Sequence, residues 1–72
     1  MLDINKISKK MICIRKENNM TQDDVAEKLF ISRQLVSKWE NGNALPSIDM
    51  LLNLCDLYHT TFNVILCLDD ED

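Results

Sequence analysis

The sequence predicts an all-α domain of five helices, and three observations predict it. Apolar residues recur at three- and four-residue steps along nearly the whole chain. Ser or Thr precedes most of these stripes, where a helix cap belongs, and no stretch alternates apolar and polar residues with the period of a strand. Glycine and proline occur once each, so few positions interrupt helical geometry. At 72 residues the chain makes one domain, because so short a polypeptide buries only about 60% of its unfolded surface and cannot share a core between two units. That domain is expected to span residues 1–68, followed by a short acidic tail, 69–72, expected to be disordered.

Ile4, Ile7, Met11 and Ile14 form one stripe between residues 4 and 17, with lysines between them, which is an amphipathic first helix. Asn18 and Asn19 tolerate the left-handed backbone that ends a helix, and Thr21 with Asp24 has the spacing of a capping box opening the next at Gln22. Met20 and Val25 are placed as a hydrophobic staple, and Val25, Ala26 and Leu29 supply the buried face of a second helix of about eight residues ending near Phe30. Ser32 caps a third helix of about 33–41, with Ile31 and Val36 as its staple. Val36 and Trp39 point inward there, and Asn41-Gly42 stops the helix. Ser47 caps a fourth helix whose apolar face is Ile48, Leu51, Leu54, Cys55 and Tyr58. Thr60 or Thr61 caps a short fifth carrying Phe62, Ile65 and Leu66.

Charge is distributed unevenly. The formal net charge is −4, but Asp69, Asp70, Glu71 and Asp72 hold four of the twelve acids, and the other eight acids balance the eight lysines and arginines. Residues 6–16 contain Lys6, Lys9, Lys10, Arg15 and Lys16 with no acid among them, so a basic surface coexists with a low isoelectric point. Taken alone, such a run favours an ordinary solvated helix face. Cys13, Cys55 and Cys67 lack paired metal-ligand spacing, and the only histidine is His59, so no metal site and no cofactor is expected and the cysteines read as free thiols. The chain carries no apolar run of transmembrane length and no secretory leader, which makes the cytoplasm the expected compartment.

A short second helix, a tight turn and a short third helix packed on a longer first one is a plan that exposes one helix to a DNA major groove. On the third helix Arg33, Gln34, Ser37 and Lys38 lie off the Val36/Trp39 stripe, and each can hydrogen-bond to base edges or phosphates. Arginine and lysine suit guanine O6 and N7, glutamine suits adenine N6 and N7, and Leu35 beside them is available to a thymine methyl.

The segments TQDDVAEKLFISRQLVSKWENG (21–42) and LPSIDMLLNLCDLYHTTFNVIL (45–66) resemble the phage repressor and Cro type (XRE-like) of helix-turn-helix protein. The resemblance rests on Thr21-Gln22, Ala26, Ser32-Arg33-Gln34, Trp39-Glu40-Asn41-Gly42 and Pro46. It implies a lambda-repressor-like domain with the helix-turn-helix at helices 2 and 3. It further implies that Arg33, Gln34 and Lys38 read bases, with Ser37 at the groove edge, and that Gln22, Ser32, Asn41 and Asn43 hold phosphates. Arg15 would pair with Glu40 to tie the first helix to the third. A helix start also suits a phosphate at Gln22 on electrostatic grounds, provided that Asp23 and Asp24 direct their carboxylates away from the DNA. Phe30 and His59 stand where such proteins commonly carry glycine. If the Phe30 backbone needs a positive φ, its side chain imposes a steric cost and reshapes the turn.

The expected function is that of a sequence-specific regulator of transcription, a repressor, binding a pseudo-palindromic operator as a weak homodimer through Val64, Leu66, Cys67 and Leu68. The alternative is a protein-interaction module of antitoxin type, with a protein partner and DNA binding as autoregulation. An enzyme is the poorest reading, since the sequence offers no nucleophile–base pair, no carboxylate pair in a plausible cleft and no phosphate-cradling glycine loop.

Overall fold

The computed structural model describes residues 2–68 and contains five helices: α1 (Ile4–Glu17), α2 (Gln22–Leu29), α3 (Arg33–Glu40), α4 (Ile48–Tyr58) and α5 (Phe62–Ile65). No strand occurs among the described residues, and the fold is all-α. The acidic segment 69–72, and with it the expectation of disorder there, lies outside the described residues.

All five helices start in the same way. Asp3, Thr21, Ser32, Ser47 and Thr61 hold extended backbone while a side-chain oxygen accepts from an N–H two or three residues on, satisfying donors that a helix start otherwise leaves bare. At Thr21 the exchange is reciprocal: the Asp24 N–H donates to Thr21 Oγ1 at 3.0 Å, and the Thr21 N–H donates to Asp24 Oδ2 at 2.8 Å. Hydrogen bonds from the Thr21 N–H, first, and from the Thr21 side chain hold the Asp24 carboxyl below its usual range. Of the two threonines offered for α5, Thr61 is the cap.

The five ends are equally uniform. Asn19, Phe30, Gly42, His59 and Cys67 each take a positive φ between 54° and 77°. In every case the following residue donates to the carbonyl five positions back: Met20 to Arg15, Ile31 to Ala26, Asn43 to Lys38, Thr60 to Cys55 and Leu68 to Asn63, at 2.9–3.1 Å. This is the Schellman arrangement, which favours glycine because a Cβ in left-handed backbone costs about 1–2 kcal/mol. Four of the five ends use another residue. Glycine stands where space also demands it, since a Cβ on Gly42 would lie 3.2 Å from Ser8 Oγ of α1, itself buried and donating to the Ile4 carbonyl at 2.6 Å.

The core joins Ile7, Met11 and Ile14 of α1 to Val25 and Ala26, Val36 and Trp39, Leu51, Leu54 and Tyr58, and Ile65. Helices α2 and α3 pack on each other, α3 packs on α1, and α5 closes against α1 and α4. Two expectations need correction. Ile48 is 71% exposed rather than part of the inner face, because it is the first residue of α4 and that helix meets the core only from Met50 onward. Leu35 is half-buried against the core and is not freely offered to a thymine methyl.

Candidate nucleic-acid interface

Helix α3 divides sharply between an inner and an outer face. Val36, Trp39 and Glu40 are buried, while Arg33, Gln34 and Lys38 are exposed and Ser37 is half-buried. The outer face therefore presents two cationic side chains and an amide on one short rigid element, with donors for guanine and a bidentate group for adenine. Ser37 Oγ accepts from Asn41 Nδ2 at 3.2 Å, so the two polar groups at the end of α3 are already joined. Ser32, Asn41 and Asn43 are exposed around the same helix, and the Ser32 hydroxyl, which accepts from the Leu35 N–H at 3.1 Å, still has its proton to donate.

The buried acid of α3 organises the elements behind this face. Arg15 Nε donates to Glu40 Oε2 at 2.7 Å and Arg15 Nη2 to Glu40 Oε1 at 3.0 Å, a bidentate pair with side chains only 12% and 4% exposed. The hydrogen bond to Glu40 holds the Arg15 guanidinium above its ordinary pKa. Its third contact, Nη1 to the Met20 carbonyl at 2.9 Å, fixes the α1–α2 turn as well. Gln22 Nε2 completes the cluster by donating to Glu40 Oε1 at 3.0 Å. One carboxylate thus ties together α1, the first residue of α2 and the last residue of α3. The Gln22 carbonyl oxygen and second amide hydrogen remain for other partners. Tyr58 lies close enough to feel both charges, and burial pushes its hydroxyl up to about 12.

At the other end of α3, Arg33 Nε lies 3.5 Å from Asp23 Oδ1, with both side chains largely exposed. Asp23 therefore faces α3, and Asp24 is committed to the capping box. Neither the Gln22–Glu40 bond nor the Arg33–Asp23 pair is among the sequence expectations. Both depend on how α2 crosses α3, a relation that local spacing does not carry.

Val64 and Leu68 are exposed near the described C-terminus, and Cys67 is half-buried, whereas Leu66 is packed against the core. His59 ends α4 in left-handed backbone and is exposed. Among the described residues no group of three or more His, Cys, Asp or Glu side chains is placed to hold a metal, and no helix is long and apolar enough to cross a membrane.

The profile of the helix-turn-helix family matches residues 14–65. The chain is 31% identical over 61 residues to the HTH-type transcriptional activator BcrR of Enterococcus faecalis, aligning 85% of itself but only 30% of that protein's length. It is 35% identical over 65 residues to the ImmF control region 10 kDa protein of Bacillus phage phi105, covering 90% of this chain and 72% of that one. Among solved structures, a point mutant of the restriction-modification controller protein C.Esp1396I superposes with a TM-score of 0.74 at 26% identity, over 94% of this chain and 89% of the other. With the helix-turn-helix geometry at α2 and α3, a family match over most of the chain and a phage control protein among its relatives, this chain belongs to the helix-turn-helix family of the Cro and repressor type.

Proposed function

We propose that this chain is a sequence-specific double-stranded DNA-binding regulator of transcription that inserts α3 into the major groove. The observation that carries the reading is the outer face of α3, where Arg33, Gln34 and Lys38 stand exposed on a helix whose opposite side is locked into the core. Base readout is assigned to Arg33, Gln34 and Lys38 with Ser37 at the groove edge. Phosphate contact is assigned to Gln22, Ser32, Asn41 and Asn43. Gln22 reaches a phosphate with the amide atoms that Glu40 leaves unused, at a helix N-terminus whose partial positive charge favours an anion.

A single α3 spans too few base pairs to select one site, so the working unit is a homodimer on a pseudo-palindromic operator with half-sites about 34 Å apart. The exposed side chains of Val64 and Leu68, with Leu66 and Cys67 beside them, supply the apolar contact between copies. An operator overlapping a promoter gives repression, the output we assign, and the chain acts in the cytoplasm without catalytic activity.

Fluorescence-anisotropy titration tests this reading with duplexes drawn from around the chain's own gene and a scrambled duplex, at two salt concentrations. Wild type is expected to prefer its own DNA, and Arg33→Ala/Gln34→Ala to lose that preference, at about 1–3 kcal/mol for each base contact removed. Equal, weak binding of both proteins to every duplex would sink the reading.

A further inference from the structure

Helix α1 carries a second cationic surface, which the proposed interface does not use. Lys6, Lys9 and Lys10 line a surface depression of about 280 Å³ together with Cys13 and Cys67, and among the described residues no acidic side chain lines it. The three lysines share a helical face with Cys13 at three- and four-residue spacing, while Arg15 is turned inward onto Glu40. Cys67 belongs to the turn that ends α5, so the described chain leaves the core at the rim of this depression. Two residues later the sequence reads Asp69-Asp70-Glu71-Asp72.

We propose that the acidic segment 69–72 docks on this depression as an intramolecular anionic ligand for Lys6, Lys9 and Lys10. Reach is assured, since each residue spans up to about 3.5 Å and the acids begin two residues beyond a residue that lines the site. Four carboxylates meet three ammonium groups, and a short tether holds them at an effective concentration on the order of millimolar. Individual exposed pairs of this kind contribute at most about 1 kcal/mol and are screened by salt, so the segment acts collectively and exchanges readily. The docking does not depend on the proposed function, but its consequence rests on it. A lysine-lined depression suits the DNA backbone as well as it suits carboxylates, and occupying it from within denies duplexes of any sequence a second binding surface, leaving α3 to choose the DNA.

Zero-length carbodiimide coupling of the full chain, with the joined peptides mapped by mass spectrometry, tests the docking without DNA. Amide links from residues 69–72 to Lys6, Lys9 or Lys10 are expected within one chain, several-fold fewer at about 0.5 M salt than at about 0.02 M. Mixing isotopically labelled and unlabelled protein separates links within a chain from links between chains. Links spread evenly over Lys16, Lys28 and Lys38, or formed only between chains, overturn the proposal. A second arm uses the variant Asp69→Asn/Asp70→Asn/Glu71→Gln/Asp72→Asn and a scrambled duplex. Its affinity is expected to rise several-fold at low salt, with a salt slope steeper by up to about 0.9 for each lysine released. Adding Lys6→Gln/Lys9→Gln/Lys10→Gln should abolish that gain. An equal gain in the lysine-free background would mean that the tail repels DNA from a distance and does not dock.

Discussion

The two ends of α3 are built from the same parts under opposite conditions. Each has an ion pair and each adjoins a left-handed turn. At the C-terminal end the pair is Arg15–Glu40, buried, bidentate and shared with Gln22, and the turn residue is Gly42, pressed against Ser8. At the N-terminal end the pair is Arg33–Asp23, exposed and 3.5 Å apart, and the turn residue is Phe30, 94% exposed. The comparison separates two reasons for glycine at a helix end. Left-handed backbone alone carries a modest penalty, which Phe30 and His59 bear with their side chains in water. Close approach of a neighbouring helix adds crowding to that penalty, and this second condition holds at Gly42, where a Cβ would lie 3.2 Å from Ser8 Oγ. The same contrast makes the C-terminal end of α3 the anchor and leaves the N-terminal end, with Arg33 and Gln34, open to a ligand.

The sharpest way to break this comparison is to remove one acid from each pair. Glu40→Ala leaves the Arg15 guanidinium buried without its partner and should cost about 3–5 kcal/mol in urea denaturation, a large share of what so small a domain possesses. Asp23→Ala should stay within about 1 kcal/mol of wild type, so comparable losses at the two sites would end the distinction between anchored and open ends. Next in size, Gly42→Ala should destabilise by about 1–2 kcal/mol, because it combines a positive φ of 77° with a Cβ 3.2 Å from Ser8 Oγ. Phe30→Gly should act in the opposite direction. It relieves about 1–2 kcal/mol of backbone strain and returns about 0.5–1 kcal/mol through the freer unfolded chain, for a net gain of about 0.5–1 kcal/mol. A loss of stability there would show that the exposed ring has a packing role.

Ionisation of Tyr58 influences stability only in alkaline solution. Burial and the Glu40 charge hold the Tyr58 hydroxyl neutral up to about 12, whereas the unfolded chain releases that proton near the ordinary value of 10.0. The associated stability is therefore complete below pH 10 and is lost as pH rises towards 12. Tyr58→Phe should flatten that part of the stability curve, and an unchanged alkaline loss in the variant would assign it to another group.

Much of this architecture is legible in the residues themselves. The Thr21/Asp24 box, the Ser32 and Ser47 caps and the Ile7/Met11/Ile14 stripe are local features, and each is where the spacing places it. Ile48 shows the limit of periodicity: a stripe gives the face of a helix but not where along its length the core begins. Gln22 and Glu40 show another. They are eighteen residues apart, and nothing in either side chain announces the bond that joins the start of α2 to the end of α3.

The sequence by itself determined the number and order of the helices and most of their boundaries, because capping bonds and apolar periodicity act over three to five residues and are written in neighbouring positions. It also determined which residues of α3 face outward, through the alternation of apolar and polar positions on one short helix. Only the tertiary structure decided which charges are spent inside the molecule. Arg15, Gln22 and Glu40 become one buried cluster, and Arg33 leans on Asp23, because those distances depend on how three helices cross. The crossing is set by the packing of the whole core, which no window of sequence contains.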